Sequence, residues 1–224
     1  MKFTELIDLA SEKVGGAVLA CQWVQNFSER YILGIRMDLE SVGTYVAAYQ
    51  VCGIPFMLIS TVLNGFGVPI AYQRAGDLKT DSQIFQANRV LVRCTRAYLI
   101  LGLFMIPLYF IFGKFALRTL TSGSFVLPDA VLTCIAGGRF LQCLGVVLQP
   151  FFAVHQRMGN SLVFRLFGGL LVAPVCWFTI GRWGIPGAAG GVLASGIIYS
   201  SLVIFGPGGC WSLMRRRAST GEAV

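Results

Sequence analysis

Apolar residues occur in six long runs along the chain, and short segments between the runs hold most of the charged side chains. The runs cover approximately residues 14–34, 45–70, 91–113, 128–150, 161–181 and 185–206. A helix that crosses a bilayer needs about 20 mainly apolar residues. The pattern therefore predicts an all-α integral membrane protein, a bundle of about six transmembrane helices within residues 14–206.

The two ends of the chain differ from this membrane domain. In residues 1–13, apolar Phe3, Leu6, Ile7 and Ala10 follow helical spacing and charged residues lie opposite, which predicts either an amphipathic segment at the membrane surface or a frayed soluble end. Residues 207–224 contain the basic run "MRRRAST", which predicts a cytoplasmic tail.

Composition supports the membrane interpretation. Of the 224 residues, 55% are hydrophobic and only 12% are charged, and the mean hydropathy is +0.70. Soluble domains carry about 25% charged residues. The net charge of +8 would fit a nucleic-acid-binding protein. However, the cations lie between apolar runs and no nucleic-acid motif is found, so we expect no nucleic acid as a partner.

The basic residues also predict an orientation. Cytoplasmic loops of membrane proteins are enriched in Lys and Arg. If the N-terminus is cytoplasmic, most of the 18 basic residues lie inside, Arg139 lies within the membrane, and the outer side holds only Arg30, Arg36, Lys114, Arg118 and Arg182. This distribution predicts a multi-pass protein with both termini in the cytoplasm.

No catalytic or metal-binding pattern is found in the sequence. The seven cysteines are odd in number and form no CxxC pair, and His155 is the single histidine. These residues predict neither a disulfide framework nor a metal site. Motifs of the GxSxG, Walker and HExxH types are missing as well. We therefore predict that the protein is not an enzyme and has no cofactor.

Polar side chains form stripes along two of the predicted spans. In the first span they recur at three- and four-residue spacing, and in the fourth they fall near one face. The first stripe contains Gln22, Gln25, Asn26 and Glu29 with Arg30 beside it, and the second contains Arg139, Gln142 and Gln149. An Arg at a helix centre costs about 2.5–3.5 kcal/mol on insertion scales. The stripes therefore predict a shared hydrated cavity inside the bundle.

We select Arg139, Arg30, Glu29, Gln142 and Gln25 as candidate substrate-binding residues. The guanidinium of Arg139 can hold a phosphate through two parallel hydrogen bonds, which favours an anionic substrate. Alternatively, Arg139 pairs with a carboxylate such as Glu29 or Asp129. Glu29 and Arg30 can also extend to the outer interface, and Glu29 can carry a proton or bind a cation.

Small residues and prolines indicate how the spans pack. Gly187, Gly191 and Ser195 share one face of the sixth span, a pattern that lets another helix approach closely, either as a sliding interface or as static packing. Pro55, Pro107 and Pro174 lie inside spans and predict kinks.

Three phrases of the sequence resemble one protein family. They are "SERYILGIRMDLESVGTYVAAYQV", "NGFGVPIAYQRAGD" and "WGIPGAAGGVLAS". The first is similar to the acidic-Arg-Tyr/Phe-Ile-Leu-Gly run of polysaccharide flippases, with Glu29 where Asp is usual. The family is the polysaccharide biosynthesis branch of the multidrug/oligosaccharidyl-lipid/polysaccharide exporter superfamily, and the resemblance covers about residues 14–206.

The resemblance implies a membrane transporter of the bacterial inner membrane. Its members move polyprenyl-pyrophosphate-linked oligosaccharides, the precursors of surface polysaccharide, across the membrane by alternating access. They usually contain two lobes around a cationic cavity, and this chain resembles the C-terminal lobe only. The implied partners are thus the lipid-linked oligosaccharide, membrane lipid, and either a second half-transporter or a second copy. A single lobe thus has three explanations: it pairs with another half, it pairs with a second copy of itself, or it is a truncated or split-gene product, which we favour.

Three other functions fit the same residues less closely. The first is a drug/cation antiporter of the same superfamily, which a carboxylate deep in the cavity would favour. The second is a membrane-embedded transferase acting on lipid-linked sugars, which would need carboxylates or histidines in its loops. The third is a scaffold without transport activity in a polysaccharide assembly complex.

Overall fold

The computed structural model describes residue 23 and residues 27–76, 81–121, 123, 125–155 and 158–210. Within these ranges the chain is all-α. Residues 27–36 form α1, and the longer helices are α2 (Leu39–Ala75), α3 (Asp81–Leu120), α4 (Asp129–Val154), α5 (Met158–Trp183) and α6 (Ile185–Phe205). The predicted amphipathic segment and most of the basic tail lie outside the described residues, as does most of the first predicted span.

Five helices, α2 to α6, are long and apolar enough to cross a membrane. They coincide with the second to sixth predicted spans, so the all-α membrane bundle is confirmed at this level. The helices α2 and α3 extend further than the apolar runs at 45–70 and 91–113. This difference arises because hydropathy marks the part of a helix that hydrocarbon covers, whereas a helix can continue beyond the bilayer.

Local chain chemistry sets the helix ends. α2 begins after Asp38, whose backbone is extended, and ends before Gly76, which adopts a positive φ of 50°. Gly184 takes a φ of 60° between α5 and α6, and Pro186 follows within the first turn of α6. Glycine adopts positive φ without the steric cost that a side chain imposes, and proline suits the first helical turn.

Helix α4 lies at the centre of the bundle. It packs against α2 and α3 on one side and against α6 on the other, while α5 packs mainly on α6. Most of the α4 side chains are buried, as expected for a helix with other helices on several sides. The outer helices expose large apolar side chains instead, such as Ile100, Phe104 and Phe115 on α3. A contiguous apolar surface of this kind is typical of contact with lipid.

Glycines bring α6 close to its neighbours. A Cβ atom added to Gly196 of α6 would lie 2.7 Å from the carbonyl oxygen of Gly138 on α4. On the α5 side, Gly187 faces the Thr179 carbonyl, and a Cβ on Gly191 would lie 2.6 Å from the Cys176 sulfur. The predicted close approach of another helix is thus confirmed for Gly187 and Gly191, whose partner is α5, whereas the third residue of the stripe, Ser195, contacts Gln142 of α4.

Candidate functional site

Two arginines from different helices contact the same tyrosine ring. The guanidinium carbon of Arg30, on α1, lies 4.8 Å from the ring centroid of Tyr49 on α2. The corresponding carbon of Arg139, on α4, lies 4.7 Å from that centroid. Both distances are within the range of a cation–π interaction, which is stronger where water is excluded. Tyr49 is itself buried, whereas Arg30 and Arg139 are each partly exposed.

Hydrogen bonds continue from this pair across the bundle. One Nη atom of Arg139 donates to the Tyr49 hydroxyl at 2.8 Å and to the Gln142 side-chain oxygen at 2.9 Å. The Gln142 amide donates in turn to the Ser195 hydroxyl at 3.0 Å, and this hydroxyl donates to the Val192 carbonyl. The chain of bonds therefore connects α2, α4 and α6. We refer to Tyr49, Arg139, Gln142 and Ser195 as the polar chain.

Glu29 is buried next to the two arginines. Only 1% of its surface is exposed, and Arg30 and Arg139 are close enough to act on its carboxylate electrostatically. Neither carboxylate oxygen has a partner in hydrogen-bonding geometry among the described residues. Since burial of a charge is costly, the opposite charges of Arg30 and Arg139 offset part of the cost of burying Glu29.

Local sequence explains how these side chains meet. Tyr45 and Tyr49 are one helical turn apart on α2, and their ring centroids are 5.9 Å apart. Gly53, one turn further along, leaves room for Arg139: a Cβ atom there would lie 2.8 Å from its Nε atom. A larger residue at position 53 would therefore shift the side chain of Arg139.

Several buried polar atoms of this region have no hydrogen-bond partner among the described residues. They are Ser28 Oγ, both carboxylate oxygens of Glu29, Arg30 Nε, the Tyr45 hydroxyl and Arg139 Nε. Buried polar groups are nearly always hydrogen-bonded in proteins, and exceptions tend to mark sites with a function or a bound polar molecule. The concentration of such atoms around Tyr49 makes this region the candidate functional site.

The structure brings four of the five predicted site residues together. Glu29, Arg30, Arg139 and Gln142 surround or adjoin Tyr49, whereas Gln25 lies outside the described residues. Glu29 is enclosed by protein, so the interpretation that it extends to the outer interface is wrong. The proposed partner Asp129 is also wrong for Arg139, because the Asp129 carboxylate lies 2.7 Å from the Lys114 ammonium nitrogen. Whether these residues bind a substrate stays a prediction.

The sequence pattern did not single out Tyr45, Tyr49 or Ser195 as site residues. The two tyrosines follow i, i+4 spacing inside an apolar span, and this spacing was the available signal. Ser195 was recognised only as a small residue, although its hydroxyl accepts the hydrogen bond from Gln142. The remaining member of the α4 stripe is Gln149. Its side-chain amide nitrogen donates a hydrogen bond of 3.4 Å to the Tyr199 hydroxyl, away from the site.

The chemistry of the site is that of charged side chains buried or partly buried inside the protein. Two guanidinium groups and one carboxylate leave one positive charge in excess, so the site favours an anion.

Comparisons with known proteins identify no relative: no family model matches the chain, and neither a curated protein nor a solved structure is significantly similar to it.

Proposed function

We propose that the chain is one lobe of a membrane transporter that translocates lipid-linked oligosaccharide precursors of surface polysaccharide across the bacterial inner membrane. The observation that carries this proposal is the placement of Arg30 and Arg139 on the same buried tyrosine, next to a nearly inaccessible carboxylate. Charged side chains at membrane depth are expensive and commonly line a substrate path. The resemblance of the sequence to polysaccharide flippases supports the same class of substrate.

A polyprenyl pyrophosphate fits the charge of the site. Guanidinium groups bind phosphate oxygens through charge-assisted, often bidentate hydrogen bonds. The Nε atom of Arg139 is buried and has no hydrogen-bond partner among the described residues, so an oxygen acceptor that reached it would satisfy it. Glu29 offsets part of the positive charge in the absence of substrate and would be repelled by a bound pyrophosphate.

The polar chain offers a mechanism for coupling substrate binding to helix movement. A pyrophosphate that binds Arg139 competes with the Tyr49 hydroxyl and the Gln142 oxygen, which now share one Nη atom. Loss of these bonds would weaken the link between α2, α4 and α6. Alternating access usually moves one bundle against another around a central site, so the second bundle would be another half-transporter or a second copy of this chain.

A binding experiment with the full chain tests this proposal. The protein is reconstituted into vesicles, and the affinity for a fluorescent polyprenyl-pyrophosphate oligosaccharide is measured for wild type, Arg139→Gln and Arg96→Gln. Arg96 is exposed on α3, so its substitution removes the same charge at a distance from the site. Because Arg139→Gln removes a charged hydrogen-bond donor, we expect its affinity for the ligand to fall at least about tenfold, whereas Arg96→Gln should bind like wild type. Equal affinity in all three proteins would refute the role of Arg139.

A translocation assay separates transport from binding. Reconstituted vesicles carrying the labelled lipid on both leaflets are treated with a membrane-impermeant quencher, and the fraction protected is followed in time. A lobe that acts with a second copy should show an active species at the mass of a dimer. Binding without translocation by the chain alone would favour a missing second lobe, and neither activity would favour a scaffold.

A drug/cation antiporter of the same superfamily is the second candidate. Burial of Glu29 without a hydrogen bond favours it, because a carboxylate in such a place can exchange a proton for a cationic substrate. The test is efflux of a cationic dye driven by a pH gradient in vesicles. An antiporter should lose this activity in Glu29→Gln, whereas a flippase should show no dye transport in either protein.

A further inference from the structure

A small pocket with two cations lies at the C-terminal end of α3, and none of the four residues named above as the polar chain lines it. Its volume is about 120 Å³, and it is lined by Lys114, Leu117, Arg118, Phe125, Val126 and Leu127. A cavity of only about 10–15 Å³, measured in the same way, can hold one water molecule. This pocket therefore has room for several heavy atoms. The pocket is thus large enough for a tetrahedral anion.

The charges of the pocket favour an anion. Lys114 is half exposed and pairs with Asp129, the first residue of α4, at 2.7 Å. Arg118 is exposed, and the described residues place no carboxylate within ion-pairing distance of it. One positive charge therefore remains uncompensated at the mouth of the pocket.

The surroundings of the pocket are apolar and exposed. Val126, one of its lining residues, is 72% exposed. Further along α3, Ile111 and Leu103 lie on the same helix face as Lys114 and Arg118, and each is 67% exposed. Leu103 is about 22 Å from Arg118 along the helix axis. This face is longer than the hydrocarbon depth of one leaflet, about 15 Å.

We propose that this pocket binds the phosphate of an anionic phospholipid, whose acyl chain lies along the face of α3 that contains Ile111 and Leu103. Arg118 contacts the phosphate, and Lys114 contributes from its pair with Asp129. The combination of an uncompensated cation and a continuous apolar face fits a lipid better than a soluble anion, because both parts of a lipid find a matching surface. The site is independent of the transport function proposed above.

Lipid retention by the full chain tests the inference. The protein is incorporated into nanodiscs of equimolar phosphatidylglycerol and phosphatidylcholine, and the lipids that remain bound after detergent release are counted by native mass spectrometry. Wild type should retain phosphatidylglycerol preferentially. Arg118→Gln should lower the ratio of the two bound lipids by about fivefold, the effect of one basic residue near an anionic lipid. Arg118→Lys should keep most of the preference because it retains the charge.

Arg182→Gln is the matched control, since Arg182 is also an exposed arginine at the end of a membrane helix, on α5, but does not line the pocket. Equal loss in Arg118→Gln and Arg182→Gln would overturn the proposal, because any surface charge would then suffice. Equal retention of the two lipids by wild type would overturn it too. Displacement of phosphatidylglycerol by inorganic phosphate would show that the pocket selects a free anion and not a lipid. Helical content and elution volume confirm that each variant is folded.

Discussion

The guanidinium of Arg139 lies over the ring of Tyr49, 4.7 Å from its centroid, and donates a hydrogen bond of 2.8 Å to the hydroxyl of the same side chain. Tyr49 thus contacts Arg139 in two ways, through the face of its ring and through its hydroxyl oxygen. Because the contact joins α2 to α4 inside the bundle, it contributes to packing as well as to the candidate site. The contributions of the Tyr49 hydroxyl and of the Tyr49 ring can be separated by substitution.

Replacing Tyr49 with Phe should remove the hydrogen bond and keep the ring. We expect the free energy of unfolding to fall by about 1 kcal/mol, the usual value for one buried hydrogen bond. Tyr49→Leu also removes the cation–π contacts with Arg30 and Arg139, so it should cost about 1–3 kcal/mol more. Equilibrium unfolding of the purified protein in mixed micelles measures both values.

Tyr31→Phe provides the control for this pair, since Tyr31 is 59% exposed on α1 and is not a member of the polar chain. Its unfolding free energy should match that of wild type. If Tyr49→Phe were as stable as Tyr31→Phe, the bond between Arg139 and Tyr49 would contribute nothing measurable.

Gly53→Ala should disturb Arg139 without touching any charged residue. The added methyl would lie 2.8 Å from Arg139 Nε, which is closer than van der Waals contact allows. The Arg139 side chain must then shift from its present position, and we expect the affinity for a polyprenyl-pyrophosphate ligand to fall by about tenfold. The measurement is the same vesicle binding assay used for Arg139→Gln.

Gly65→Ala on the same helix is the matched control for Gly53→Ala. No atom lies within 4 Å of the position of its added methyl, so it should leave binding unchanged and stabilise α2 by up to about 1 kcal/mol. Unchanged binding in both variants would show that the position of Arg139 does not matter for the ligand.

Much of the fold could be predicted from the sequence because several continuous apolar runs of about 20 residues are typical of membrane-spanning helices and rare in soluble domains. The helix ends could not, since hydropathy gives no signal where α2 continues to Ala75 beyond the apolar run. The extended backbone at Asp38 and the positive φ at Gly76 mark these ends more directly than hydropathy does.

The candidate site could be predicted in part for a similar reason. Glu29 and Arg139 were recognisable because ionised side chains are rare in apolar spans. Tyr49 and Ser195 are common residue types in such spans, and their contacts depend on how each helix is rotated about its axis. The ion pair of Asp129 with Lys114 could not be predicted, because spacing along the chain does not show that Lys114, near the end of α3, lies beside Asp129 at the start of α4.

The bond between Gln142 and Ser195 should show measurable coupling. We expect a double-mutant cycle with Gln142→Leu and Ser195→Ala to give an interaction energy of about 0.5–1.5 kcal/mol, as for other hydrogen bonds between membrane helices. A parallel cycle with Gln142→Leu and Ser200→Ala should give a value near zero, because the Ser200 hydroxyl bonds to Gly196 of its own helix. Equal coupling in the two cycles would contradict a specific contact between α4 and α6.

The close contact between α4 and α6 should depend on Gly196. An alanine there would place its methyl 2.7 Å from the Gly138 carbonyl oxygen and 3.0 Å from the Leu141 Cβ atom, so the helices must separate. Overpacking of this kind typically costs about 1–3 kcal/mol, and the separation should also lengthen the bond from Gln142 to Ser195. Unfolding in mixed micelles measures the loss of stability.

Gly190→Ala is the control, because its added methyl on the same helix has no atom within 4 Å. A loss of stability in Gly190→Ala equal to that in Gly196→Ala would mean that α6 tolerates alanine poorly at any position, and that the carbonyl of Gly138 is not the cause.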